Sequence, residues 1–177
     1  MQKEIIVIIG GPGTGKSTLI NELVARGYCC YPEISRQITL EAQQRGIDQL
    51  FLKEPLLFSE MLLQGRIKQF KDALEEPDNV VFIDRGIPDV VAYMDYIEDE
   101  SPTHFTQACG DFKYSKIFIL PLWEEIYKSD TERYENFKQA ETIQKHLIET
   151  YMKYGYNLIE VPKDTVKNRI LYILDKI

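Results

Sequence analysis

The chain has 177 residues, 44% of them hydrophobic and 28% charged, with a formal net charge of -7. That length suits one domain over residues 1–177 with a full core. The acidic balance argues against a nucleic-acid scaffold, which presents a basic face, and no apolar run approaches the roughly 18 residues of a membrane span.

Residues 4–9, "EIIVII", are apolar and mostly β-branched, which predicts a central parallel strand buried on both faces. The apolar run is too short for a signal peptide, so the expected compartment is the cytoplasm. A glycine-rich stretch, "GGPGTGKS", follows at 10–17. The spacing then predicts a helix over 17–26, with Leu19, Ile20, Leu23 and Val24 on one face and Gly27 as its stop. "YCCY" at 28–31 reads as a short strand ended by Pro32. Cys29 and Cys30 would there project to opposite faces. With Cys109 they lack metal-ligand spacing, and they read as small buried residues in a reducing compartment.

A helix is expected over 33–45, up to Gly46, and a longer one over 55–75. Pro55 fits the first turn of the second, and Leu63, Ile67, Phe70 and Leu74 recur at helical spacing. "NVVFID" at 79–84 predicts a second buried strand, and 98–114 reads as an irregular surface excursion. "KIFILP" at 116–121 and "YNLIEVP" at 156–162 complete the strands. Between these two lies a helical pattern through Phe137, Ala140, Ile143, Leu147 and Tyr151. The last helix, 164–176, carries Val166, Ile170, Ile173 and Leu174. His104 and His146 belong to no recognisable catalytic motif. Strands alternating with helices imply an α/β fold, a parallel sheet covered on both faces. Its ligands bind beyond the carboxyl ends of the strands.

The residues after each strand therefore carry the functional reading. Gly10–Ser17 matches G-x-x-x-x-G-K-[ST], the Walker A phosphate loop, with a strand before it and a helix after it. Gly11, Gly13, Thr14, Gly15, Lys16, Ser17 and Thr18 are expected to bind the nucleotide. Inward N–H groups and the helix start hold phosphate oxygens, Lys16 faces the β- and γ-phosphates, and the Ser17 hydroxyl ligates Mg²⁺. Asp84 ends a buried strand, as a Walker B carboxylate near the metal does; alternatively it caps the next segment. Arg85 points into the same crevice, or pairs with a surface carboxylate. Glu33 and Arg36 lie just past the second strand, where a carboxylate can take a proton from an acceptor hydroxyl or bind a sugar. Alternatively, Glu33 complements a helix dipole. The segment 122–137 carries Lys128 and Arg133 among acids, as a mobile lid or as a solvated charged helix.

Together the Walker A loop, "PEISR", "DRG" and "SDTERYE" resemble the NadR-like P-loop kinase/ATPase group of the nucleoside and nucleotide kinase superfamily. The resemblance runs over most of the chain. It implies a P-loop three-layer sandwich with strand order 2-3-1-4-5 and an arginine-bearing lid. It matches Asp84-Arg85 to the D-R pair of small-molecule kinases, Glu33 to the glutamate after the second strand, and Arg133 to a lid arginine. NadR-type domains phosphorylate ribosylnicotinamide, while some relatives look like nucleotide-dependent regulators. The nucleotidyltransferase and DNA-binding segments of full-length NadR are missing, and no acceptor motif points to nicotinamide.

The function expected is Mg²⁺-ATP-dependent phosphotransfer to a small hydroxyl-bearing metabolite, nucleoside or nucleotide-like. The alternative is a nucleotide-dependent switch or ATPase controlling a partner. No N-K-x-D guanine motif occurs, yet GTP is not excluded. "VPKDTVKNR", after the last strand, is a candidate lining of the base pocket. An AAA+ mechanical ATPase is disfavoured, because no room remains for its C-terminal helical subdomain. The partners implied are a nucleoside triphosphate and a small acceptor, without nucleic acid. Oligomeric state is not legible.

Overall fold

The computed structural model describes residues 3–47, 50–127 and 136–177. Its centre is β1 (Glu4–Ile9), whose alternation sorts the apolar run onto two cores. Ile5, Val7 and Ile9 enter one hydrophobic cluster and Ile6 and Ile8 the other. β1 pairs in parallel with β3 (Val80–Asp84) on one side and β4 (Lys116–Ile119) on the other. β2 (Cys29–Tyr31) and β5 (Leu158–Glu160) form the edges, and the order is β2-β3-β1-β4-β5. The expected 2-3-1-4-5 sheet is therefore present.

α1 (Lys16–Ala25) and α8 (Val166–Asp175) pack together on the Ile6–Ile8 side. α2 (Ser35–Gln44), α3 (Leu50–Lys53), α4 (Pro55–Glu75), α5 (Pro88–Tyr96), α6 (Thr103–Asp111) and α7 (Phe137–Lys153) supply the other core. α7 opens with a reciprocal cap: Asn136 accepts from the Gln139 N–H, and Gln139 accepts from the Asn136 N–H. Cys29 packs toward the larger core and Cys30 toward the smaller, so the two side chains do part across the sheet. Both are half-buried, while Cys109 is fully buried.

Two stretches differ from expectation. The segment 98–114 contains α6, whose Phe105, Ala108 and Cys109 are buried in the larger core. Its polar, turn-forming start hides an apolar i, i+3, i+4 set. α5 also forms directly after β3, with Val90, Val91, Ala92 and Met94 buried. The expected stripe of α7 is buried at Ala140, Ile143, Leu147 and Tyr151, whereas on α1 and α4 its last member is outside: Val24 is 53% exposed and Leu74 49%, while Ala73 is buried. Lys128 and Arg133, with half of the expected lid, lie outside the described residues.

Candidate active site

β1 ends at Ile9 and the chain turns through Gly10–Gly15 into α1. Gly15, the cap of α1, has φ 87°, a left-handed conformation that a side chain disfavours. Gly10 is required by space, since a Cβ there would lie 2.8 Å from Thr14 Oγ1 and 3.0 Å from Leu120 O. The Thr14 hydroxyl donates to Gly11 O at 3.0 Å. From α7, Gln144 ties the loop to the end of β4. Its Oε1 accepts from the Gly11 N–H at 2.6 Å, and its Nε2 donates to Leu120 O at 3.0 Å. Lys16 is buried, and its ammonium donates to Gly10 O at 2.7 Å and Gly11 O at 3.1 Å. Burial, reinforced by the nearby Arg85 cation, lowers its pKa to about 7 against the pull of Asp84, Asp89 and Glu33. Ser17 and Thr18 are exposed at the start of α1.

Asp84 ends β3 opposite Ile8, so its carboxylate emerges beside the loop. It is 4% exposed, and its Oδ1 is buried with no hydrogen-bond partner. Burial raises its pKa, only partly opposed by Lys16 and Arg85. A buried carboxylate oxygen left without a donor fits a hard cation, so Asp84 together with the exposed Ser17 hydroxyl suits Mg²⁺. The alternative, Asp84 as a cap, is not what the structure shows. α5 has no side-chain cap, and Asp89 in its first turn accepts from the Gly86 N–H at 2.9 Å.

Arg85 stands in a left-handed conformation, φ 69°, which costs a non-glycine residue about 1–3 kcal/mol. Its N–H donates to Ile8 O at 3.1 Å, and its side chain is held at both ends. Nε meets Glu33 Oε2 at 2.5 Å, and Nη1 meets Asp89 Oδ1 at 3.2 Å. These partners are buried or half-buried rather than surface carboxylates. Glu33 also receives Arg66 Nη2 at 3.3 Å and the Ser35 N–H at 3.1 Å. Burial would raise the Glu33 carboxyl, but Arg66 and Arg85 outweigh it and hold it below the ordinary value. Glu33 thus stands just ahead of α2, accepts from the N–H of its first residue, and also joins the charged cluster. Arg36 stands exposed on α2.

Behind this cluster, Arg66 of α4 donates to Gly86 O at 2.8 Å, and Tyr151 of α7 donates to Asp89 Oδ2 at 2.5 Å. On the nucleotide-loop side, Arg169 of α8 donates from Nη1 to Thr14 O at 3.3 Å. The motif reading singled out none of Arg66, Asp89, Gln144 and Tyr151, while Arg169 ends "VPKDTVKNR", the candidate lining of the base pocket. At the far end of the sheet, Cys29, Glu76 and Asp78 bring ligand-type atoms within 4.8 Å of one another. Lys3 is bound in that corner, its ammonium donating to the Glu76 and Asp78 carbonyls. Among the described residues, no helix is long and apolar enough to cross a membrane.

The fold recurs in solved nucleoside and nucleotide kinases. Deoxyadenosine kinase from M. mycoides with bound dATP is 18% identical, with TM-score 0.68, covering 97% of this chain and 98% of that one. The NadR protein in complex with NR gives TM-score 0.75 at 16% identity, over 98% of this chain but 50% of NadR. Thymidylate kinase from Ehrlichia chaffeensis gives 0.64 at 18% identity, over 99% of both chains. The sequence matches no curated protein. The AAA domain family matches residues 5–169, which run from the second residue of β1 through the phosphate loop and the other four strands to the first turn of α8, and the chain belongs to that family.

Proposed function

We propose that the chain is a Mg²⁺- and ATP-dependent kinase acting on a small hydroxyl-bearing acceptor of the nucleoside or nucleotide-like class. The observation that carries this is the convergence of Lys16, Asp84, Arg85 and Glu33 at the carboxyl ends of β1, β2 and β3. A phosphate loop alone would serve any nucleotide binder. A Glu33–Arg85 pair built beside it supplies a place for a second, polar molecule. The likeness to deoxyadenosine kinase, NadR and thymidylate kinase supports the same reading.

In this reading Gly11, Gly13, Thr14, Gly15 and Thr18 bind the triphosphate, Lys16 meets its β- and γ-phosphates, and Ser17 and Asp84 hold Mg²⁺. Held by Ser17 and Asp84, Mg²⁺ would supply neutralisation of charge on the phosphate oxygens. The acceptor oxygen attacks the γ-phosphorus. The new O–P bond forms as the bond to the β–γ bridging oxygen breaks, and ADP departs. The hydroxyl proton passes to Glu33. A carboxylate held this acidic is a weak base, which suits a loose transition state in which the proton leaves late. Glu33 and Arg85 therefore act chiefly by orienting the acceptor, with Arg36 at the rim and Arg133 closing over the γ-phosphoryl group.

The test is ATP consumption by the full chain with and without a panel of nucleosides. Strong stimulation by one acceptor is the expected result. Turnover indifferent to every acceptor selects the nucleotide-dependent switch instead.

A further inference from the structure

Arg169 has an environment that the phosphotransfer reading does not use. It stands on α8, 3% exposed, and reaches the phosphate loop with one long bond, Nη1 to Thr14 O at 3.3 Å. The same nitrogen lies 3.3 Å from the point where a Cβ on Gly15 would stand. Its Nε and Nη2 are buried with no hydrogen-bond partner. Among the described residues it forms no ion pair. Burial lowers its pKa, with no counter-charge opposing that shift.

Such a group is unusual. A guanidinium carries five donors and remains charged, and buried charges are ordinarily paired. The other buried arginine near the crevice follows that rule: Arg66 has Glu33 and Gly86 O. Arg169 has a single backbone oxygen, and that oxygen belongs to the loop whose amides face phosphate. Lys16 meets the loop through the Gly10 and Gly11 carbonyls, whereas Arg169 meets it through Thr14 and Gly15. The loop is therefore flanked by two cations at two different points, and the second lacks an anion.

We propose that Arg169 is a second cationic ligand of the nucleotide's phosphate chain, contributed by the C-terminal helix. This rests on the nucleotide-binding reading above but not on phosphotransfer or on the acceptor. A bound polyphosphate supplies the anion that the guanidinium lacks, and its unpaired N–H groups supply fork-shaped donors.

The test measures binding of inorganic tripolyphosphate and of Mg²⁺-ATP to the full chain by calorimetry. Arg169→Met should weaken tripolyphosphate roughly ten- to a hundredfold, as loss of a charge-assisted contact does. The same change should raise the Tm of the nucleotide-free protein, because it removes a buried, unpaired cation. In the wild-type chain, the Arg169 Nε–H resonance should move when tripolyphosphate is added; an arginine that only props the loop would not report the ligand in this way. Unchanged tripolyphosphate affinity in Arg169→Met overturns the inference, and so does a stationary Nε–H resonance in the wild type. The second readout holds even if the variant fails to fold. Failure of the wild type to bind any polyphosphate would instead remove the nucleotide reading itself.

Discussion

The two sides of the crevice carry similar charges but are wired differently. In the cluster around Glu33 and Asp89, each charged group has a counter-charge: Glu33 has Arg66 and Arg85, and Asp89 has Arg85 besides the Gly86 N–H and Tyr151. On the side of the phosphate loop, Lys16 and Arg169 donate only to backbone carbonyls, and Asp84 Oδ1 accepts nothing. A charge-paired polar network rigidifies its surroundings and does not need a ligand to balance its charge, even where one atom, Arg66 Nε, is left unbonded. An under-satisfied one carries desolvation costs that a bound anion or cation can offset. The first is built as a preformed platform and the second as a receptor. The comparison therefore predicts that damage behind the paired side, at Asp89, is read mainly in stability, and damage to the unpaired side, at Asp84, mainly in turnover.

The sharpest break on the paired side is Asp89→Ala. It leaves Tyr151 OH and the Gly86 N–H without their acceptor and takes one anion from Arg85, whose left-handed backbone that ion pair helps to hold. Removing one member of a buried pair costs about 3–5 kcal/mol, and the expected loss is of that size. Urea unfolding of the variant checks it. A loss within the range of an ordinary surface substitution would mean that the network does not behave as a unit.

The opposite outcome is expected at Asp84. Asp84→Asn keeps the shape and removes a buried charge that has no donor on Oδ1, so unfolding free energy should hold or rise. Turnover should fall about a hundredfold to a thousandfold, the scale of one lost electrostatic stabiliser at a transition state. If the variant turns over normally at limiting Mg²⁺, Asp84 holds no metal. If it loses stability as Asp89→Ala does, the division between the two sides fails.

How much of this was legible in the sequence depends on range. β1, β3 and β4 stand out because strands buried on both faces read as unbroken apolar runs, and the phosphate loop stands out because its spacing is local. Asp84, Arg85 and Glu33 were found because each follows a strand directly. The groups that pair with them were missed because they arrive from other helices. A signal was nevertheless present. Arg66 and Gln69 fall within the stripe Leu62, Leu63, Phe70 and Ala73 of α4. Gln144 falls within Ala140, Ile143 and Leu147 of α7, and Arg169 beside Ile170 and Ile173 of α8. A polar residue at an apolar position of a helical stripe is buried against something it must bond. α5 and α6 were hidden differently: each is only nine residues long and lies among turn-forming residues, so neither shows a sustained period.

The smallest expected effect concerns Glu33, and it tests whether the pairing is electrostatic. Arg66 and Arg85 hold this carboxyl below its ordinary value even though burial alone would raise it. A group whose folded-state pKa is depressed contributes stability above its unfolded value and loses it as the pH falls through the folded one. Wild-type stability should therefore carry a Glu33 contribution at neutral pH that fades on acidification below the ordinary carboxylate range. Glu33→Gln imitates the protonated side chain in shape and charge, so it lacks that contribution at every pH. The two proteins should differ most at neutral pH and converge as the solution is acidified, with the variant always the flatter curve. Unfolding free energies measured at steps from neutral to acid decide it. A gap that stays constant with pH would show that the glutamate acts through packing and the Ser35 hydrogen bond rather than through its charge. The platform side would then owe less of its order to the two arginines than to the chain entering α2.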